Sequence, residues 1–147
     1  MPRIRLHEQP LYEFHYELVL QPRDINYGGH LGHDTLVTLV HSARADLLRS
    51  LGFSEKDLGD GQTAIIMSDL AVNYRGEGLL FDVLRIETHA GEMTRNSFRL
   101  FHRVTRGGTV LALVETGLIA FNYRDHKIVE VPPGFVKALG LLQGKRA

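Results

Sequence analysis

The sequence predicts an α+β fold in which one long helix packs on a five-stranded antiparallel sheet. Three observations predict it. Apolar and polar residues alternate from Tyr12 to Gln21; apolar residues then recur every three or four positions from Asp34 to Leu51; strand-like segments separated by short turns fill most of the remainder. At 147 residues the chain has the size of one domain with one core, so residues 1–147 are read as a single domain.

Taken in order, "YEFHYELVLQ" puts Tyr12, Phe14, Tyr16, Leu18 and Leu20 on one face and Glu13, His15, Glu17 and Gln21 on the other, the pattern of a half-buried strand. A glycine-rich stretch breaks it. Leu36, Val40, Ala43, Leu47 and Leu51 then mark one stripe of a helix of about five turns, with Leu39 and Leu48 beside them. Gly52 is placed to cap its C-terminus. "TAIIMSDLAVNY" and "FDVLRIETHA" read as strands, the second stopping at Gly91. "NSFRLFHRVTR" sets Phe98, Leu100, His102 and Val104 opposite Arg99 and Arg103. Gly107-Gly108 signals a hairpin into "TVLALVETGLIAFNY", which is apolar on both faces like a central strand covered on both sides. Pro132 and Pro133 end that strand, and "VKALG" predicts a short closing helix. The apolar character of the last strand points to self-association as a homodimer or homotetramer.

Lys+Arg and Asp+Glu both number 17 and the net charge is zero, so no global field draws the chain to nucleic acid or an anionic membrane, and an anionic ligand needs a local cluster. The absence of cysteine excludes disulfides, thiolate metal sites and cysteine nucleophiles. No apolar run has the length of a membrane span, and "MPRIRLHEQP" has no signal core; a cytoplasmic address is the expectation.

The chemistry concentrates in "DINYGGHLGHD", Asp24 to Asp34. A helix start offers N–H groups without intrahelical partners and a partial positive charge, and Gly28 and Gly29 let a ligand approach the backbone. The amides between Gly29 and Asp34 are expected to receive an oxyanion. Asp34 reads either as a general base or as the helix N-cap, Asp24 either as a second carboxylate or as an acceptor fixing the loop. His30-x-x-His33-Asp34 has the outline of a metal site, but no second ligand cluster supports it; no metal and no cofactor is expected.

In sum, from about Tyr12 to Leu139, the chain resembles the hot-dog-fold acyl-CoA thioesterases, in particular the 4-hydroxybenzoyl-CoA thioesterase branch. The landmarks are Asp24-Ile25-Asn26-Tyr27-Gly28-Gly29-His30-Leu31 before the helix, His41-Ser42-Ala43-Arg44 within it, "VNYRGEGLLFDVLRIET", "GEMTRNSFRLFHRV" and the prolines after the last strand. The resemblance implies a hot-dog fold and hydrolysis of an acyl-CoA to a free acid and coenzyme A. It departs where the family's second Asp, a nucleophile or base in many members, falls on Asn26: a neutral amide takes no proton from water. His41 likewise stands where the helix acid is common. The catalytic candidates are therefore Asn26, His30, Asp34 and Asp24; the oxyanion and substrate candidates Gly28, Gly29 and His33; the coenzyme candidates Arg75, Arg95 and Ser97, with Arg99, Arg103 and Arg106 as further cations at strand ends or edges. Two alternatives stay open: a hot-dog protein that binds acyl thioesters without turnover, and an enzyme acting on acyl groups carried by a protein.

Overall fold

In the computed structural model, which describes residues 3–144, the elements run β1 (Phe14–Val19), α1 (His33–Ser50), β2 (Ala64–Tyr74), β3 (Val83–Gly91), β4 (Ser97–Arg106), β5 (Thr109–Asn122), β6 (Lys127–Ile128) and α2 (Pro133–Gly144). The sheet order is β1-β3-β4-β5-β2, every pair antiparallel, with the two-residue β6 added to β5. β6 and a 3₁₀ turn at Pro22–Asp24 carry no periodic signal in the sequence, being too short to show one.

α1 forms where the apolar spacing places it and buries Leu36, Val40, Ala43, Leu47 and Leu48 against one face of the sheet. Its C-terminus closes as a Schellman motif: Phe53 N–H donates to the Leu48 carbonyl at 2.8 Å and Gly52 N–H to that of Arg49 at 3.0 Å. Gly52 takes φ 87°, the left-handed conformation this motif needs. Gly107 and Gly108, at φ 55° and 85°, make the predicted β4–β5 turn, with positive φ at both central positions as a two-residue hairpin favours.

Two apolar clusters lie along the helix. Leu36, Val40 and Ala43 pack with Leu84, Ile86, Val104 and Val114. Leu47 and Leu48 pack with Phe98, Leu118 and Phe135 of α2. The closing helix is longer than "VKALG" suggests, because Pro133 suits the first helical position and Phe135 and Leu139 are buried under the sheet's far end.

β5 is central, as its two-sided apolar pattern predicts, so that pattern is satisfied by burial inside the sheet and carries no evidence of self-association. Although last of the long strands in sequence, β5 is flanked by β4 and β2, so its ladder is already paired. The sheet's two edges are β1 and β2, and β2 crosses over to lie beside β5 instead of β3. Met67 and Leu70, on the helix side of the β2 edge, are each 41% exposed.

On the outer face, arginine stems cover β5. Arg99 bonds Asp69 and Glu115, and Arg103 grips Glu87 with two bonds, at 2.9 and 3.0 Å. Gly117 makes the first of these possible: a Cβ there would stand 2.0 Å from Asp69 Oδ1. The segment before β1 crosses this face, held by Arg103 to Glu8 at 2.7 Å, by Arg103 over the Tyr12 ring, and by Asn73, which accepts from Leu6 N–H at 2.7 Å and donates to the Ile4 carbonyl at 2.9 Å. No helix among the described residues is long and apolar enough to cross a membrane.

Candidate active site

The loop from β1 to α1 is built around Asn26. Its Oδ1 accepts from Gly28 N–H at 3.0 Å and from His30 N–H at 3.4 Å, while its main chain exchanges bonds with Gly29 and His30. Accepting two amides fixes the orientation of the side-chain amide, so Nδ2 is its remaining polar group. Asp24 is buried; its carboxylate accepts from Gln21 N–H at 2.8 Å and its carbonyl from Gly32 N–H at 3.2 Å. Leu31 N–H is taken by the Gly78 carbonyl at 2.8 Å. The amides of residues 28–32 are thus engaged inside the loop.

Beyond them the pattern changes. The N-cap of α1 is Gly32, at φ −65° and ψ 141°, with no side chain to cap the helix. The N–H groups of His33, Asp34 and Thr35 have no acceptor among the described residues. The oxyanion site expected over Gly29–Asp34 narrows to this first turn. Asp34 is therefore not the cap. It is an exposed second residue of the helix whose carboxylate makes no hydrogen bond or ion pair among the described residues. It folds back over Gly32, where a Cβ would stand 2.8 Å from Asp34 Oδ1.

His30 lies over Gly28, with Nδ1 3.2 Å from the Leu31 carbonyl and Nε2 4.0 Å from Glu77 Oε1. A carbonyl can only accept, so Nδ1 donates to Leu31, and the tautomer this fixes has Nε2 as its acceptor nitrogen. Tyr74, at the end of β2, donates from its hydroxyl to the His33 carbonyl at 2.8 Å. Partial burial, and then the negative charge of Asp34, push its phenol above the ordinary range, which puts Asp34 and Tyr74 in one neighbourhood.

Asn26, Gly28, Gly29, His30, His33 and Asp34 are thus brought together; Asp24 lies beneath them as a strut. Arg95 and Ser97 are elsewhere. Ser97 pairs with Ile119 and Tyr74 with Ala112, seven residues apart on β5 and so about 23 Å by strand rise. Arg95 is ion-paired with Glu130, and Ser97 shares a hydrogen bond with Thr94 at 2.7 Å. Arg99, Arg103 and Arg106 are also matched to carboxylates. Of the arginines singled out in the sequence for the coenzyme, Arg75 is the one without an ion pair among the described residues. No group of three or more metal-ligating side chains forms among them either.

One turn past the helix start, a cavity of about 180 Å³ opens between α1 and β2, with Val37, Val40, Met67 and Leu70 in its walls and His41, Arg44 and Thr116 beside them. The Thr116 hydroxyl is buried and has no partner among the described residues. Sequence reasoning missed this cavity because its walls use the same apolar residues as the core.

Comparison with known proteins places the chain and its fold. A family model described as the thioesterase-like superfamily matches residues 20–139. The acyl-CoA thioesterase YbgC of Haemophilus influenzae is 24% identical over 120 residues, covering 81% of this chain and 88% of that protein. Among solved structures, Slr0204 from Synechocystis, a 1,4-dihydroxy-2-naphthoyl-CoA thioesterase, superposes with TM-score 0.80 at 16% identity, covering 88% of this chain and 97% of that one. SAV2348 from Staphylococcus aureus, solved in complex with CoA, reaches 0.82 at 15% identity over 94% of this chain and 89% of that one. At such identities the structural likeness establishes the fold, and the fold is the hot-dog arrangement expected.

Proposed function

The chain belongs to the thioesterase-like superfamily, and we propose that it hydrolyses an acyl-CoA thioester to a carboxylic acid and coenzyme A at the start of α1. One observation carries the reading: His33, Asp34 and Thr35 present free N–H groups at an uncapped helix end beside an unpaired carboxylate. The thioester oxygen lies at those amides, where donors already in place act on charge as it develops; each such donor is typically worth about 3 kcal/mol to the transition state. Asp34 takes the proton of the attacking water. His30 orients that water through Nε2, because its Nδ1 proton is committed to Leu31. Asn26, at the family's acidic position, holds the loop in shape. The thiolate of coenzyme A leaves.

The acyl group enters the cavity between α1 and β2. Its 180 Å³ is comparable to the roughly 150 Å³ apolar cavities that accept a benzene ring, so a short chain or a single ring fits. That cavity lies along the free edge of β2, and a second copy pairing there would continue the sheet and close the cavity's open side; a homodimer is part of the reading.

Thiol release from a panel of short, medium, long and aromatic acyl-CoAs tests it. Turnover is expected with the short and single-ring members, and Asp34→Ala is expected to lower kcat by about 10²–10⁴-fold while CoA still binds. A chain that binds CoA but turns over no thioester would establish the non-catalytic alternative, which the replacement of Asp by Asn26 favours.

A further inference from the structure

Seven of the fifteen lysines and arginines among the described residues are ion-paired, from Arg44 with Glu55 at 2.8 Å on the helix to Arg106 with Asp82 at 3.0 Å at the sheet margin. Three arginines that have no ion pair among the described residues, Arg3, Arg5 and Arg75, line one cavity of about 470 Å³ together with His7, Asn73 and Tyr74. No carboxylate lines it. Unpaired cations repel one another, so gathering three of them without a counter-charge costs stability unless an anion joins them. Lys56 and Arg124 line another cavity near the opposite end of α1, but there Glu55 stands in the wall.

The gathering is built. Asn73 clamps the main chain of residues 4 and 6 with two hydrogen bonds, which sets the alternate positions 3, 5 and 7 beside Arg75. Tyr74 joins this cavity to the helix start: it lines the cavity and places its hydroxyl on the His33 carbonyl.

Resting on the thioesterase reading, the geometry points to Arg3, Arg5 and Arg75 as the seat of the phosphates of coenzyme A, the 3′-phosphate and the pyrophosphate, while the flexible pantetheine arm runs past Tyr74 to the free amides of α1. Guanidinium groups suit this task, because each can give two parallel bonds to a phosphate. The substrate is then a free coenzyme thioester. A carrier protein, whose prosthetic arm ends in a single phosphodiester, would leave most of this charge unused.

Calorimetric titration of the full chain with CoA and with 3′-dephospho-CoA, paired with hydrolysis of one acyl group as its CoA and its pantetheine thioester, tests this. CoA is expected to bind more tightly than the dephospho form. Replacing Arg3, Arg5 and Arg75 together by Gln is expected to weaken CoA binding by at least about tenfold, with the loss in KM more than kcat, and to remove the preference for the CoA thioester. Lysine at the three positions keeps part of the affinity. CoA binding by the glutamine variant within about twofold of the natural chain, or a larger loss from Arg95→Gln, overturns the site. If no thioester is hydrolysed yet the glutamine variant loses CoA, the phosphate seat stands and the thioesterase reading falls. If both thioesters are hydrolysed equally well, the reverse holds.

Discussion

The two ends of α1 are finished in opposite ways. At the C-terminal end the helix stop is closed. A Schellman motif satisfies the last carbonyls, Arg44 and His41 share Glu55, and Phe135 of α2 packs its ring against Phe53 and Phe98 at centroid distances of 5.2 and 5.3 Å. At the N-terminal end the cap residue has no side chain, three amides and a carboxylate stand without partners among the described residues, and the nearby arginines lack counter-charges. One end contributes stability; the other keeps its hydrogen-bonding capacity for a ligand and gives up stability to do so. Substitutions at the two ends should therefore separate stability from activity.

The largest effect belongs to the closed end. Phe135 is fully buried, and Phe135→Ala should destabilise the fold by about 3–5 kcal/mol in denaturant titration. Affinity for CoA in the protein that remains folded should change little, because the cavity this opens is a helix length from the amides. A Phe135→Ala protein that keeps its stability would break the contrast from one side.

Acid should act next, between the two ends. His102 is buried on the helix side of the sheet, sharing a 2.8 Å hydrogen bond with Thr88; burial, and then the charge of Arg44, pull its pKa down to about 3. In the unfolded chain the ring takes a proton near pH 6.5. Between pH 6.5 and about 3 the unfolded chain therefore binds more protons, and stability falls as pH falls, by up to about 1.4 kcal/mol per pH unit. Above pH 6.5 this contribution is complete and flat. Asp69, held at about 2 chiefly by its hydrogen bonds to Arg99 and Ser68, adds its loss only below its ordinary pKa of 3.8. Denaturant midpoints measured from pH 7.5 to 4.5 check this. His102→Gln should flatten the slope; an unaltered slope would assign the acid sensitivity to other groups.

The contrast was unevenly visible in the sequence. The closed end was legible, since Gly52 after an apolar stripe is a physical requirement of the helix stop. So were the strands whose faces differ, such as Arg99 and Arg103 opposite Phe98 and Leu100. At the open end the glycines and His30 announced a site, but not which amides were free: that depends on Gly78, far along the chain, taking the Leu31 N–H, and on Asn26 taking those of Gly28 and His30. The arginine cavity was hidden for another reason. Arg3, Arg5 and His7 alternate with Ile4 and Leu6, a signal of two faces, yet nothing local says that this segment lies beside Arg75, because the clamp is Asn73. Strand order is likewise non-local: β5 read correctly as a central strand, but nothing in the sequence said that β2 lies beside it.

At the helix stop, Gly52→Ala forces a Cβ into φ 87° and should cost roughly 1–2 kcal/mol, read as a lowered denaturant midpoint with kcat and KM retained.

The smallest change in stability is the one that bears most directly on the open end. Gly32 caps α1 at φ −65° and ψ 141°, angles any residue adopts, so glycine is not needed there for its backbone freedom. What it provides is room: a Cβ would stand 2.8 Å from Asp34 Oδ1 and 3.3 Å from Thr35 Oγ1. Both are tips of side chains that can rotate away, so Gly32→Ala should cost only about 0.5–1 kcal/mol, mainly as a poorer cap. Rotation, however, takes the Asp34 carboxylate from its place over Gly32, and kcat should fall by about tenfold or more, in the way a misplaced base slows proton transfer. Loss of activity with little loss of stability is the inverse of Phe135→Ala. If Gly32→Ala kept full turnover, the position of Asp34 over the cap would not matter, and the base would have to be sought at His30.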